Sequence, residues 1–285
     1  MLSAREWDAL LGQIREGKCV PVIGAGAASG VFPLGAAMAQ QLADEYRYPF
    51  DDPDHLPSVT EFMAVKYGRE FPKETVLKRW FSAIPYPDWK AADEPHSALA
   101  ALPLPLYITT NWDDLMVRAL EHHGKDPCRE VCPWNHISKK RQQERPLCGE
   151  LTPENPVVFH LHGCDEHAES MVLTETDYVD FLARLTYRFE DLLPQYIRDA
   201  LASSALLIVG YSLMDVNFRT ILRAFAHRPG EDVTHFTIQY PPPQDDEKRQ
   251  YIEEYFAKSV NVKVIWTTAQ SFAAELFRRY KQSEG

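Results

Sequence analysis

The sequence predicts an α/β protein, a doubly wound parallel sheet that carries a mainly helical insertion. Three observations predict it. Short apolar runs recur along the chain, the clearest being Cys19–Ile23, Leu104–Thr109, Pro156–Leu161 and Ala205–Val209. Each runs directly into a turn bearing glycine, asparagine or histidine, as a buried strand does where it meets a loop. Longer segments with apolar residues at helical spacing stand between most of them, and strands alternating with helices build parallel sheets covered on both faces.

Taken in order, residues 2–17 place Leu2, Trp7, Leu10, Leu11 and Ile14 at helical intervals, and Gly17 suits the C-terminal cap. The first strand, Cys19–Ile23, ends in Gly24-Ala25-Gly26, and Leu34–Tyr46 follows as an amphipathic helix. A hydride-transfer fold would now continue with a second strand ending in an acidic residue about 20 positions after the glycines. Instead the chain reads Tyr48-Pro49-Phe50-Asp51-Asp52-Pro53-Asp54, which is loop composition. Helical segments follow around 58–83, so residues 47–95 read as a helical insertion. Its aromatic residues, among them Phe62, Tyr67, Trp80, Phe81 and Trp89, are explained by core packing.

Leu104–Thr109 is the next strand, and Leu115–His122 returns as helix. Residues 124–155, polar and rich in proline and cysteine, read as a loop or small subdomain. Pro156–Leu161 is a third strand, 175–203 a long helical stretch, and Ala205–Val209 a fourth strand followed by helix through Phe225. His235–Tyr240 and Val260–Thr267 read as two further strands, with Phe272–Tyr280 as the closing helix. The 285 residues suffice for one large domain.

Composition narrows the function classes. The net charge is −11, so the clustered basic surface needed to displace counterions from a nucleic acid is not expected. The one basic run, Lys139-Lys140-Arg141, reads as a solvated helix face. No apolar stretch approaches bilayer length and the N-terminus lacks the layout of a signal peptide, so no membrane association is expected and cytoplasmic residence is the default expectation. The five cysteines read as reduced thiols. A zinc cluster built from Cys128 and Cys132 with His122, His123 and His136 is the alternative, against which the spacing and the lack of a second pair weigh. No metal is expected.

Four strand-end motifs carry the chemistry: Gly24-Ala25-Gly26, Thr110-Asn111-Trp112-Asp113, His160-Leu161-His162-Gly163 and Gly210-Tyr211-Ser212 with Asp215 nearby. The glycine turns allow close backbone approach, and N–H groups at such turns suit a pyrophosphate. Asn111 supplies a donor and an acceptor and Asp113 a carboxylate, fit for a ribose hydroxyl or a carboxamide; either could instead cap the next helix. His162 stands at a strand's carboxyl end, where an imidazole can take a proton. His160, two residues back on the same face, competes for that role but reads better as a satisfied core histidine. Ser212 could bond a phosphate, whereas Asp215 could merely cap the following helix.

In this order the motifs resemble the sirtuin-like, Rossmann-like NAD-binding domains, and especially their bacterial antiphage-defence branch. The resemblance runs from about residue 18 to about residue 240. It implies that Gly24, Ala25 and Gly26 line the dinucleotide phosphates, and that Asn111 and Asp113 face the nicotinamide and its ribose. It makes His162 the catalytic histidine, has Ser212 contact ADP-ribose, and adds Thr110, Gly210, Tyr211 and Asp215 to the cofactor-binding set. Deacylase sirtuins carry an Asp-Phe-Arg segment soon after the glycines and two Cys-x-x-Cys pairs for zinc; this chain has Val31-Phe32-Pro33-Leu34-Gly35 and no such pair. The expected activity is therefore NAD⁺ hydrolysis to nicotinamide and ADP-ribose, with NAD as substrate. A non-consuming NAD or ADP-ribose sensor, a protein deacylase or ADP-ribosyltransferase, and a metal-dependent hydrolase using His122, His123, His160 and His162 are the alternatives. By family analogy the chain is expected to form a homo-oligomer and to be gated by a separate partner, a HerA-type hexameric ATPase being the best single guess.

Overall fold

A computed structural model describes residues 2–144, 148, 150–213, 215–226, 233–240 and 245–284, the side chains of Arg141, Glu144 and Glu284 excepted. Seven strands form one parallel sheet: β1 (Cys19–Ile23), β2 (Leu106–Thr109), β3 (Cys128–Val131), β4 (Val157–His160), β5 (Ala205–Val209), β6 (His235–Gln239) and β7 (Val262–Trp266). Their spatial order is β3-β4-β2-β1-β5-β6-β7. The chain starts in the middle with β1, adds β2 beside it, places β3 at the edge, comes back to insert β4 between β2 and β3, and then crosses to add β5 on the other side of β1. The reversal between β1 and β5 opens a crevice at the carboxyl ends of the strands.

Period-2 alternation divides the core between two faces. Val20, Val22, Ile108, Phe159 and Ile208 face one side and pack with Phe181, Leu185, Ile197, Phe218 and Phe256. Ile23, Tyr107, Val158, Leu207 and Phe236 face the other, against Trp7, Leu10, Ile14, Leu120 and Leu276. The helices among the described residues are α1 (Ala4–Arg15), α2 (Gly35–Tyr46), α3 (Leu56–Tyr67), α4 (Phe71–Val76), α5 (Pro95–Ala100), α6 (Leu115–His122), α7 (His136–Glu144), α8 (Glu175–Tyr187), α9 (Phe189–Leu192), α10 (Gln195–Ala202), α11 (Val216–Ala226), α12 (Asp246–Val260) and α13 (Ala269–Glu284); α8 to α12 pack on the first face, and α1, α5, α6 and α13 on the second. The long helical stretch over 175–203 is α8, α9 and α10. Arg188 leaves helical geometry at φ −141°, and Pro194 starts α10 from its N-cap.

The segment read as a loop or small subdomain over 124–155 contains an edge strand, β3, and helix α7. Lys139 and Lys140 are exposed on α7; the side chain of Arg141 lies outside the described residues. The expectation of five reduced thiols is corrected: Cys128 and Cys148 form a disulfide, while Cys19, Cys132 and Cys164 are buried and free. β3 places Cys128 at its start, and Glu130, two residues on, accepts the backbone N–H of Cys148 at 2.7 Å, bringing the returning chain alongside. Among the described residues no group of three or more His, Cys, Asp or Glu side chains is arranged to hold a metal ion, so the zinc cluster and the four-histidine site do not assemble. No helix of the described residues is long and apolar enough to cross a membrane.

Helices α3 and α4, with the π-helical turn Leu77–Phe81 that continues α4, make up the helical part of the insertion. With α2 they build a separate apolar cluster that includes Met171 and Leu173 and takes in Trp112. The insertion is fastened by charge as well. Lys73 on α4 and Asp177 on α8 are 2% and 0% exposed and meet at 3.0 Å. The Asp177 carboxylate also accepts the N–H groups of Leu173 and Thr174, each at 3.2 Å.

The two glycine turns at the crevice touch each other backbone to backbone. Gly24 N–H donates to Val209 O and Gly26 N–H to Gly210 O, both at 2.9 Å. Gly210 has φ +84°, and a Cβ there would lie 2.4 Å from Ala27 N and 2.5 Å from Gly24 O. Cβ atoms on Gly24 and Gly26 would come within 2.8 and 3.0 Å of Gly210. The close backbone approach that glycine permits is thus used first by the opposing turn.

Two stability outcomes follow from these contacts. Lys73→Met, which leaves the buried Asp177 carboxylate its longer 3.4 Å contact with Arg69, is expected to lower the urea-unfolding free energy by about 3 kcal/mol, and adding Asp177→Asn should recover a large part. Gly210→Ala is expected to cost about 3 kcal/mol, the sum of a left-handed residue and a backbone clash. Gly30→Ala, where a Cβ meets nothing within 4 Å, should stay within about 0.5 kcal/mol of wild type.

Candidate functional site

Strand register decides which of the four motifs meet. Thr109 on β2 pairs with His160 on β4, so Asn111 and His162 each lie two residues past a paired position on neighbouring strands. Ile23 pairs with both Thr109 and Val209, which brings the Gly24 and Gly210 turns to the same edge. All four motifs therefore converge at the switch point of the sheet.

The site has a buried centre and an open rim. Asn111, Asp113 and His162 are 8%, 6% and 5% exposed. Ala25, Ser212 and Asp215 are exposed, and Gly26, Thr110, Gly210 and Tyr211 are half-buried. The Asn111 amide nitrogen donates to Gly24 O at 3.2 Å, tying the second motif to the first. Asn111 does not cap a helix; Asp113, one residue before the Asp114 N-cap of α6, accepts the Leu115 N–H on its Oδ1 at 3.0 Å. Burial pushes the Asp113 carboxyl up to about 6, against a lowering influence from His96. His96, on α5, is fully buried and its Nδ1 lies 2.8 Å from the Glu94 carboxylate. Sequence reasoning passed over this pair, since a glutamate and a histidine in a proline-spaced stretch carry no strand-end signal.

His162 follows β4 and precedes Gly163, whose φ of +84° lets the chain double back so that Val172 N–H reaches His162 O at 2.9 Å. The imidazole stands edge-on to Phe181 and Tyr178, with ring centroids 4.7 and 5.5 Å away. Its Nε2 is buried without a hydrogen-bond partner. Burial alone drives its pKa down to about 3, so the ring is neutral, and as long as it stays this buried it is a weaker base than a free imidazole. His160 has both ring nitrogens engaged, with Arg129 and with the Asn111 carbonyl.

The remaining candidates serve the scaffold at least in part. The Tyr211 hydroxyl donates to Ile23 O at 2.9 Å and lies 2.9 Å from Thr110 Oγ1, while its ring stacks on Phe218 at 4.0 Å. Asp215 accepts the Asn217 and Phe218 N–H groups at the start of α11, a capping geometry. Ser212 is the exposed polar residue between them.

Comparison with known proteins identifies the family. The family described as a SIR2-like domain matches residues 105–265, more than half of the chain. A curated relative, the NAD(+) hydrolase ThsA of Cytobacillus dafuensis, is 28% identical over 240 residues, covering 80% of this chain and 44% of that protein. The NAD(+) hydrolase ThsA of Bacillus cereus (strain MSX-D12) is 30% identical over 129 residues, 45% of this chain and 24% of that one. The chain thus spans less than half the length of these relatives. Among solved structures, a SIR2 homologue in complex with NAD superposes over 98% of this chain and 95% of its own, with a TM-score of 0.50 at 14% identity, a likeness of fold. With motif order, sheet topology and sequence profile in agreement, the chain belongs to the SIR2-like domain family.

Proposed function

We propose that this chain hydrolyses NAD⁺ to nicotinamide and ADP-ribose. The observation that carries the proposal is the buried trio Asn111, Asp113 and His162 on adjacent strand ends, with an unpartnered Nε2 on the histidine. Relatives named NAD(+) hydrolase support the substrate. The nicotinamide–ribose bond breaks with positive charge developing on the ribose. A fixed carboxylate at Asp113 opposes that charge, and so does the Asn111 carbonyl dipole, whose amide nitrogen is held by Gly24 O. Water adds to the anomeric carbon, nicotinamide leaves with the bonding pair, and His162 takes the proton released from the water or a ribose hydroxyl. The exposed Ala25 and Ser212 and the half-buried Gly26 form the rim on which the phosphates would lie.

The same burial supports gating. Asn111, Asp113 and His162 are buried, and α8 holds Tyr178 and Phe181 against the His162 ring, so a shift of α8 would open the centre to substrate. Unchecked NAD⁺ hydrolysis would also drain the producing cell. The full proposal is a defence enzyme that acts as a homo-oligomer, switched on by assembly or by a separate protein such as a HerA-type ATPase. A strict monomer in light scattering at every concentration, with activity that no partner changes, would remove that part.

The catalytic assignment is checked by nicotinamide release. His162→Ala and Asn111→Ala should each lower turnover by about a hundredfold or more, and full consumption by either variant would reject the residue's role. pH supplies an independent reading. Asp113 must be ionised, and burial raises it to about 6, so turnover should fall as the pH drops through that value. His162, neutral above about 3, adds no limb there. A rate independent of pH between 5 and 8, at about constant ionic strength, would contradict the role given to Asp113.

A further inference from the structure

The loops that carry the candidate reacting groups are joined by a side chain from neither of them. Arg129 sits on the edge strand β3, only 15% exposed. Its Nε–H donates to His160 Nε2 at 3.1 Å, and its Nη2 donates to the Trp112 carbonyl at 3.3 Å and to the Asp165 carboxylate at 2.6 Å. Its Nη1 meets the Glu166 carboxylate at 3.1 Å. Trp112 lies between Asn111 and Asp113, while Asp165 and Glu166 follow closely after His162. The planar guanidinium fork therefore grips both loops at once.

The bond to His160 has a further consequence. Arginine can only donate, so His160 Nε2 must accept and the ring proton must sit on Nδ1. That Nδ1–H then donates to the Asn111 carbonyl at 3.1 Å. Burial and the Arg129 charge keep the ring neutral, which preserves this tautomer. The Asp165 N–H closes the circuit by donating to Trp112 O at 2.8 Å. Two successive carbonyls, those of Asn111 and Trp112, are thereby held in place from β3 and from the loop after His162.

We propose that Arg129, acting through His160 and Asp165, is a positioning residue that sets the placement of Asn111 and Asp113 relative to His162. The proposal rests on the hydrolase reading for its kinetic form, though not for its structural form. An arginine that merely staples an edge strand would affect melting alone. One that places the reacting groups affects turnover and leaves the phosphate-side rim, and so NAD⁺ affinity, nearly untouched.

The test uses the full chain with Arg129→Met and Arg129→Lys, each confirmed as folded by circular dichroism. For Arg129→Met, kcat for nicotinamide release should fall by about a hundredfold while KM for NAD⁺ changes by less than about threefold, as a displacement of about 1 Å would produce. Arg129→Lys, which keeps the charge but loses the fork, should fall between. Nitrogen-15 histidine spectra should show His160 as the Nδ1–H tautomer in the wild type. In Arg129→Met the His160 nitrogens and the backbone amides of Asn111 to Asp113 should all shift. A folded Arg129→Met with unchanged kcat, or with the His160 and Asn111 signals where they were, overturns the proposal. The spectra need no turnover. If the wild-type chain releases no nicotinamide under any condition, the hydrolase reading fails and the spectra still decide the role of Arg129.

Discussion

Everything in the candidate site depends on one constraint, that all seven strands run parallel and in fixed register. A parallel strand cannot return by a hairpin, so every carboxyl end falls on the same edge. Residues separated by half the chain then become neighbours: Gly24, Asn111, His162 and Gly210 each follow the last residues of a central strand. The reversal of strand order between β1 and β5 leaves a crevice at that edge. Its floor is two glycine turns pressed together, because any Cβ would meet backbone there.

Burial then sets the chemistry. The same apolar enclosure acts in opposite directions on the two ionisable groups of the centre, raising the Asp113 carboxyl and lowering the His162 imidazole. Both shifts favour the neutral form, as removal from water always does. At His162 the enclosure includes Tyr178 and Phe181 of α8, and α8 is tied to the helical insertion by the buried Lys73–Asp177 pair. Asp177 precedes Tyr178, whose ring covers His162. The fastening of the insertion and the cover over the site are thus one piece of structure.

The elements that were legible beforehand are those whose local pattern and tertiary fate agree. The four central strands are continuous apolar runs because both faces of a parallel sheet are covered. β3 was not legible: Cys128-Arg129-Glu130-Val131 has no apolar run, since an edge strand needs less burial and its charged residues serve as contacts. The breaks that divide 175–203 into three helices were hidden for a related reason, the apolar spacing continuing across both interruptions. Within the site, Asn111 and His162 stood out by their place after apolar runs. Glu94, His96 and Arg129 did not: Arg129 matters through partners distant in sequence, and the local Glu94–His96 pair matters only because His96 acts on Asp113.

The sequence by itself determined the fold class, the order of the strand-end motifs and the membership of the family, since these rest on apolar periodicity and local turn chemistry. Only the tertiary structure decided the work each polar residue does. It gave the buried Asp113 carboxylate the first N–H of α6, left the His162 Nε2 unpartnered while both ring nitrogens of His160 were engaged, and turned Arg129 toward two loops at once. The physical reason is that hydrogen-bond partners and desolvation are properties of the assembled surroundings, which no residue carries in its own neighbourhood along the chain.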